Sequence, residues 1–163
     1  MTMTIANWIP ILKSGRKFYK TSELMRLSGL SCRSCRVSLS RLVKKGLLVK
    51  LGKELFASTL VSFTPEEAIG RACCPSYLSC EYALCRHGLI DQMPYVYTAM
   101  TTRRSKRTTV EKMEVSYEHL RKGLFWGYVA EGEAFLAEPE KAVLDWIYLR
   151  KGMGLNLDEI HWE

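Results

Sequence analysis

Residues 31–46, SCRSCRVSLSRLVKKG, and the eleven that follow, LLVKLGKELFA at 47–57, decide how this chain is read. Behind Ser31, a good N-cap, Cys32, Cys35, Leu39, Leu42 and Val43 recur at helical spacing until Gly46 breaks the pattern. The spacing predicts a helix with one apolar face, on which Cys32 and Cys35 fall. Its other face carries Arg33, Ser34, Arg36, Val37, Ser40, Arg41 and Lys44, long cationic forks among small residues. That combination can approach base edges and phosphates. Leu47–Leu51 and Glu54–Ala57, separated by Gly52 and Lys53, predict a β-hairpin that displays Lys50 and Lys53.

Upstream, Ile5, Trp8, Ile9, Ile11 and Leu12 give Met3–Leu12 an apolar helical side, which Pro10 kinks or shortens and Ser14-Gly15 ends. Thr21 or Ser22 is expected to cap a short helix through Glu23, Leu24, Met25 and Leu27, stopped at Ser28-Gly29. Helix, short helix, turn, basic helix and hairpin is the order of a winged helix-turn-helix over residues 1–63. Charge points the same way. Residues 1–63 carry twelve Lys and Arg against Glu23 and Glu54 alone, a balance of +10, while the remaining hundred carry twelve against fifteen, −3. A basic block of this kind attracts a polyanion by releasing condensed counterions. Double-stranded DNA is the expected partner, with Arg33 and Arg36 reading bases, Arg41 and Lys44 on phosphates, and Lys50 and Lys53 meeting flanking backbone or minor groove. The plainer alternative is a solvated basic face.

Residues 64–163 read as a second, α+β domain. Thr64-Pro65-Glu66-Glu67 is a capping box opening a helix through Ala68, Ile69 and Ala72; Ser79 is expected to cap another at Cys80–His87. Tyr95–Met100 and Thr108–Val115 are strand-like and joined by residues 101–107. Arg103, Arg104, Lys106 and Arg107 there form a candidate second nucleic-acid contact at a hairpin tip, or a turn that keeps an edge strand from pairing. Leu124–Ala130 and Ala134–Ala137 suggest a further hairpin. Pro139 opens a final helix, Glu140–Arg150, with Ala142, Val143, Trp146, Ile147 and Leu149 as its apolar stripe; Glu140 favours the helix dipole and Lys141 is read as solvated.

Six cysteines (Cys32, Cys35, Cys73, Cys74, Cys80, Cys85) have no export signal beside them, so free, mostly buried thiols are expected. Zinc is the alternative, because Cys32-x-x-Cys35 has ligand spacing and Cys73, Cys74, Cys80, Cys85 and His87 cluster later, but no second C-x-x-C or H-x-x-x-H completes a four-ligand set. His87, Asp91 and His119 lack any accompanying nucleophile motif, phosphate loop or metalloprotease helix, so no catalysis and no cofactor are expected. No run approaches the ~18 apolar residues of a membrane span, and a soluble, cytoplasmic protein is expected.

Four stretches together resemble the AbiEi family of bacterial abortive-infection antitoxins and regulators: Thr21–Leu24 with Leu27–Gly29, Ser40–Leu48, Tyr77–Leu84 with His87–Ile90, and Ala137–Asp145. The first two are common to many winged helices; the last two, in this order, are more specific. The resemblance implies a repressor of its own toxin–antitoxin operon that binds inverted repeats near its promoter. It also implies a C-terminal domain needed for antitoxin activity, in phage defence, against a nucleotidyltransferase-like toxin. The alternative from another class is a protein-interaction antitoxin module, binding a toxin or other partner through residues 64–163, with incidental DNA affinity.

Overall fold

The computed structural model describes residues 3–150. Among them, six α-helices and two sheets make a mixed α+β protein that divides between Thr64 and Pro65 into two compact units.

The first unit begins with α1 (Ile5–Leu12), which runs through Pro10 and ends two residues later, burying Trp8 and Leu12. A proline this near a helix end removes one N–H without breaking what precedes it. Phe18–Lys20 forms a short strand, β1, not expected from three residues with no room for alternation. It leads directly into α2 (Thr21–Ser28). Neither Thr21 nor Ser22 caps that helix. Lys20 is the cap residue, and the Glu23 carboxylate reaches back to accept from its backbone N–H at 2.7 Å, placing both hydroxyl residues inside the helix. Gly29, at φ +65°, closes it in the left-handed conformation that glycine adopts without steric cost. After Ser31 the chain forms α3 (Cys32–Lys44), whose first turn is capped by Ser31 Oγ accepting from the Ser34 N–H. Strands β2 (Leu48–Lys50) and β3 (Leu55–Ser58) form the expected hairpin, and β1 adds to it antiparallel to give the order β1-β3-β2. Trp8, Leu12, Tyr19, Leu24, Cys35, Leu39, Leu42, Leu48 and Phe56 make the core.

The second unit contains α4 (Pro65–Ala72), β4 (Ser76–Leu78), α5 (Cys80–Arg86), β5 (Val96–Thr101), β6 (Lys106–Val110), β7 (Met113–His119), β8 (Tyr128–Glu131), β9 (Ala134–Ala137) and α6 (Pro139–Leu149). Its sheet runs β6-β7-β5-β4-β9-β8, with β4/β9 and β5/β7 parallel and the other pairs antiparallel. The expected single strand Thr108–Val115 is two strands folded back at Glu111-Lys112, where Glu111 takes φ +60°. The basic segment is accordingly no hairpin tip: β5 pairs with β7, and β6 lies at the sheet edge beyond it. The strand expected from Leu124 starts only at Tyr128, since Lys122–Leu124 is a 3-10 turn.

Ser79 holds the N-cap position of α5, as expected, but its hydroxyl makes no cap bond, and Lys141 is buried rather than solvated. Lys141 and Asp145, one turn apart on α6 and 4% and 1% exposed, form a buried ion pair. Asp145 Oδ2 also accepts from Tyr77 Oη at 2.8 Å and Ser79 Oγ at 2.7 Å, which spends the Ser79 hydroxyl. The Lys141 ammonium stands 5.1 Å from the Trp126 ring centre and 5.9 Å from that of Tyr77. This pair displaces the expected stripe: Ala142 and Trp146 are buried, while Ile147 is exposed.

Candidate nucleic-acid interface

The helical period sorts the residues of α3 into two arcs. At about 100° per residue, Arg33, Ser34, Arg36, Val37, Ser40, Arg41 and Lys44 fall within one arc of roughly 160°. Cys35, Ser38, Leu39 and Leu42, on the opposite arc, are the buried residues of the helix. Arg33, Arg36, Val37, Ser40, Arg41 and Lys44 are all exposed. Val37 is the one sizeable apolar residue among them and remains 47% exposed. Ser34 is only half-exposed, and its hydroxyl accepts from Ser31 Oγ at 3.0 Å within the helix cap.

The structure brings part of the predicted set together. Arg36, Ser40, Lys50 and Lys53 line one cleft of about 420 Å³, with Thr21, Leu39, Glu54 and Phe56 completing its wall. Its sides are thus α3, the first residue of α2, and the β2–β3 hairpin. Three cations from two elements meet there against Glu54 alone. Arg41 faces elsewhere, lining a cleft of about 460 Å³ against Met3, Thr4, Ile5 and Trp8, where Lys45 adds a cation the sequence reading had not selected. Arg33 and Lys44 line neither cleft and stand exposed at opposite ends of the helix.

Around α2, the Arg16 guanidinium pairs with Glu23 at 2.7 Å. The Lys20 backbone N–H, and secondarily Arg16, hold the Glu23 carboxyl below its ordinary value. This acid is therefore committed to the helix start.

The candidate second contact does not form one patch. Arg103 and Arg104 sit in the crossover between β5 and β6, fixed by His119 Nδ1 donating to Arg103 O at 2.9 Å and by the His119 backbone N–H donating to Ser105 Oγ at 2.8 Å. Lys106 and Arg107 are neighbours on β6, so their side chains leave opposite faces of the sheet. Lys106 lies 5.0 Å from the centre of the Tyr117 ring, and Arg107 lines a cleft with Thr98, Ser116 and Glu118.

The cysteines scatter. Cys32 is exposed, a departure from the apolar face expected for it, because it begins the helix where the core has not yet closed over that side; Cys35 is buried, and burial pushes its thiol up. Cys73 and Cys80 are buried and Cys74 is exposed. Among the described residues, no three His, Cys, Asp or Glu side chains converge as a metal would require. His87 Nε2 meets Ala137 O at 2.8 Å, a structural bond. No helix of the described residues is long and apolar enough to cross a membrane.

The polar cluster around Asp145 is what the sequence reading missed. Its signal was the Lys141/Asp145 spacing of four on a helix whose apolar residues flank both. Burial, then the Asp145 charge, pushes the Tyr77 phenol far up, so Tyr77 stays a neutral donor. Compared with models of known protein families and with curated proteins, the chain matches none of them.

Proposed function

We propose that residues 1–63 form a winged helix-turn-helix in which α3 enters the major groove of duplex DNA and the β2–β3 hairpin is the wing. On this reading the protein is a sequence-specific transcriptional regulator. It represses its own toxin–antitoxin operon at an inverted repeat near the promoter, with antitoxin activity through residues 64–163 against a nucleotidyltransferase-like toxin. The observation that carries the DNA-binding part is the cleft shared by Arg36 and Ser40 of α3 with Lys50 and Lys53 of the hairpin. A helix and a hairpin that present cations to one space suit a groove bordered by phosphates. The +10 balance of residues 1–63 supports the same partner. The antitoxin part rests on the resemblance of Tyr77–Leu84 and Ala137–Asp145 to that family.

Selection of binding sequences from a random duplex pool by the full chain tests the proposal. Enrichment of an inverted repeat, with affinity falling steeply as salt rises, is the expected result. A pool that stays random, while the folded protein binds another protein with no salt dependence, would replace the regulator with an interaction module.

A further inference from the structure

In the second unit, the end of α4, the start of β4 and the β8–β9 hairpin enclose a separate cleft of about 260 Å³. Phe125, Tyr128 and Phe135 line it with rings set edge to face, their centroids 5.2 Å and 5.6 Å apart. Phe135 stays 43% exposed although every other residue of β9 is buried. Ser76, only 5% exposed, also lines the cleft, and its buried hydroxyl has no hydrogen-bond partner among the described residues. A buried hydroxyl without a partner is costly, and such groups in folded proteins call for an explanation. Arg71 and Glu133 add one cation and one carboxylate to the lining.

We propose that this cleft binds the base of a nucleotide, stacked on the exposed Phe135 ring and met edge-on by Tyr128, whose own face packs on Tyr77, with Ser76 Oγ bonding the base edge and Arg71 taking the phosphate. The volume lies just below the usual range for small-molecule sites and suits a base alone, with the phosphate outside it. Aromatic faces accept any base by stacking, and a guanidinium forks onto phosphate oxygens. An apolar side chain from a partner protein would fill the rings but leave the Ser76 hydroxyl unmet. Glu133 provides an acceptor for an exocyclic amino group. The ligand is either a free 5′-mononucleotide or one base of a single strand. This proposal stands apart from duplex binding by α3 and does not depend on it.

Calorimetric titration of the full chain with AMP, GMP, CMP and UMP, and with a short single-stranded oligonucleotide, tests it. Saturable binding of a mononucleotide is the expected result; saturable binding of the oligonucleotide alone identifies the strand as the source. In either case Phe135→Ala weakens that binding about five- to hundredfold, the range for loss of one stacking contact. Ser76→Ala weakens it about three- to tenfold without lowering the Tm of the ligand-free protein, because no protein partner is lost and the cost of an unmet hydroxyl is removed. Cys74, an exposed thiol on the lining, should also alkylate more slowly with ligand bound in the wild type but not in Phe135→Ala. The proposal is overturned if no nucleotide binds the folded protein, or if binding is insensitive to both substitutions.

Discussion

Removing either member of the Lys141–Asp145 pair leaves the other buried, and the two losses should differ. In Asp145→Asn, the buried ammonium loses its counter-charge and keeps a neutral amide oxygen and the faces of Trp126 and Tyr77, so the cost of breaking a buried pair applies, about 3–5 kcal/mol. In Lys141→Met, Asp145 still accepts from Tyr77 Oη and Ser79 Oγ, and the cost falls to the lower end, about 3 kcal/mol. A loss of 3 kcal/mol lowers Tm by roughly 12 °C or more in a unit of this size. In the double variant no uncompensated charge remains, so it should be more stable than the two single losses predict, by about 1–3 kcal/mol. Urea unfolding followed by tryptophan fluorescence measures all four proteins. Trp126 and Trp146 report on the second unit and Trp8 on the first. Additivity within about 0.5 kcal/mol would show that the two charges are not coupled and would refute the reasoning.

Glu23, with its pKa lowered by the Lys20 N–H and Arg16, contributes stability that is complete above its unfolded value of about 4.3 and lost as pH falls through its folded value. Glu23→Gln should therefore be less stable than wild type at neutral pH, with the gap closing on acidification; a pH-independent gap in thermal melts would contradict this. Iodoacetamide at mildly alkaline pH should modify Cys32 and Cys74 first and spare Cys35, Cys73 and Cys80 until the protein unfolds, as peptide mass spectrometry would show. Equal rates at Cys32 and Cys35 would count against the packing of α3. Gly127, at φ +71°, would place a Cβ 3.0 Å from Lys141 Cβ, so Gly127→Ala should destabilise by at least about 1–2 kcal/mol in the same urea assay, and an unchanged midpoint would contradict that contact.

The first unit was legible wherever one residue's choice was local. Ser31, Gly29 and Gly46 mark helix ends by their own chemistry, and the α3 pattern separates a buried from a charged face without reference to the rest of the chain. What depended on partners distant in sequence was not legible. Ser79 looks like a cap until Asp145, sixty-six residues later, takes its hydroxyl. Lys141 looks solvated until Asp145, Tyr77 and Trp126 surround it. The crossover that places β7 between β5 and β6 leaves no mark on Thr108–Val115 except Glu111-Lys112 at the turn. In the candidate site, the exposed face of α3 could be read from spacing, whereas the division of Arg36 from Arg41 between two clefts required the hairpin and α1 in place.

Four alanine variants measured on two DNAs test the central claim that α3 reads the major groove. On the selected sequence, Arg33→Ala and Arg36→Ala should cost about 1–3 kcal/mol and far less on random duplex, since a bidentate base contact exists only where its base does. Arg41→Ala and Lys44→Ala should weaken both DNAs alike and each reduce the slope of log affinity against log salt by about one. Unchanged affinity, specificity and salt slope in all four variants would contradict the account and leave α3 as a solvated basic face.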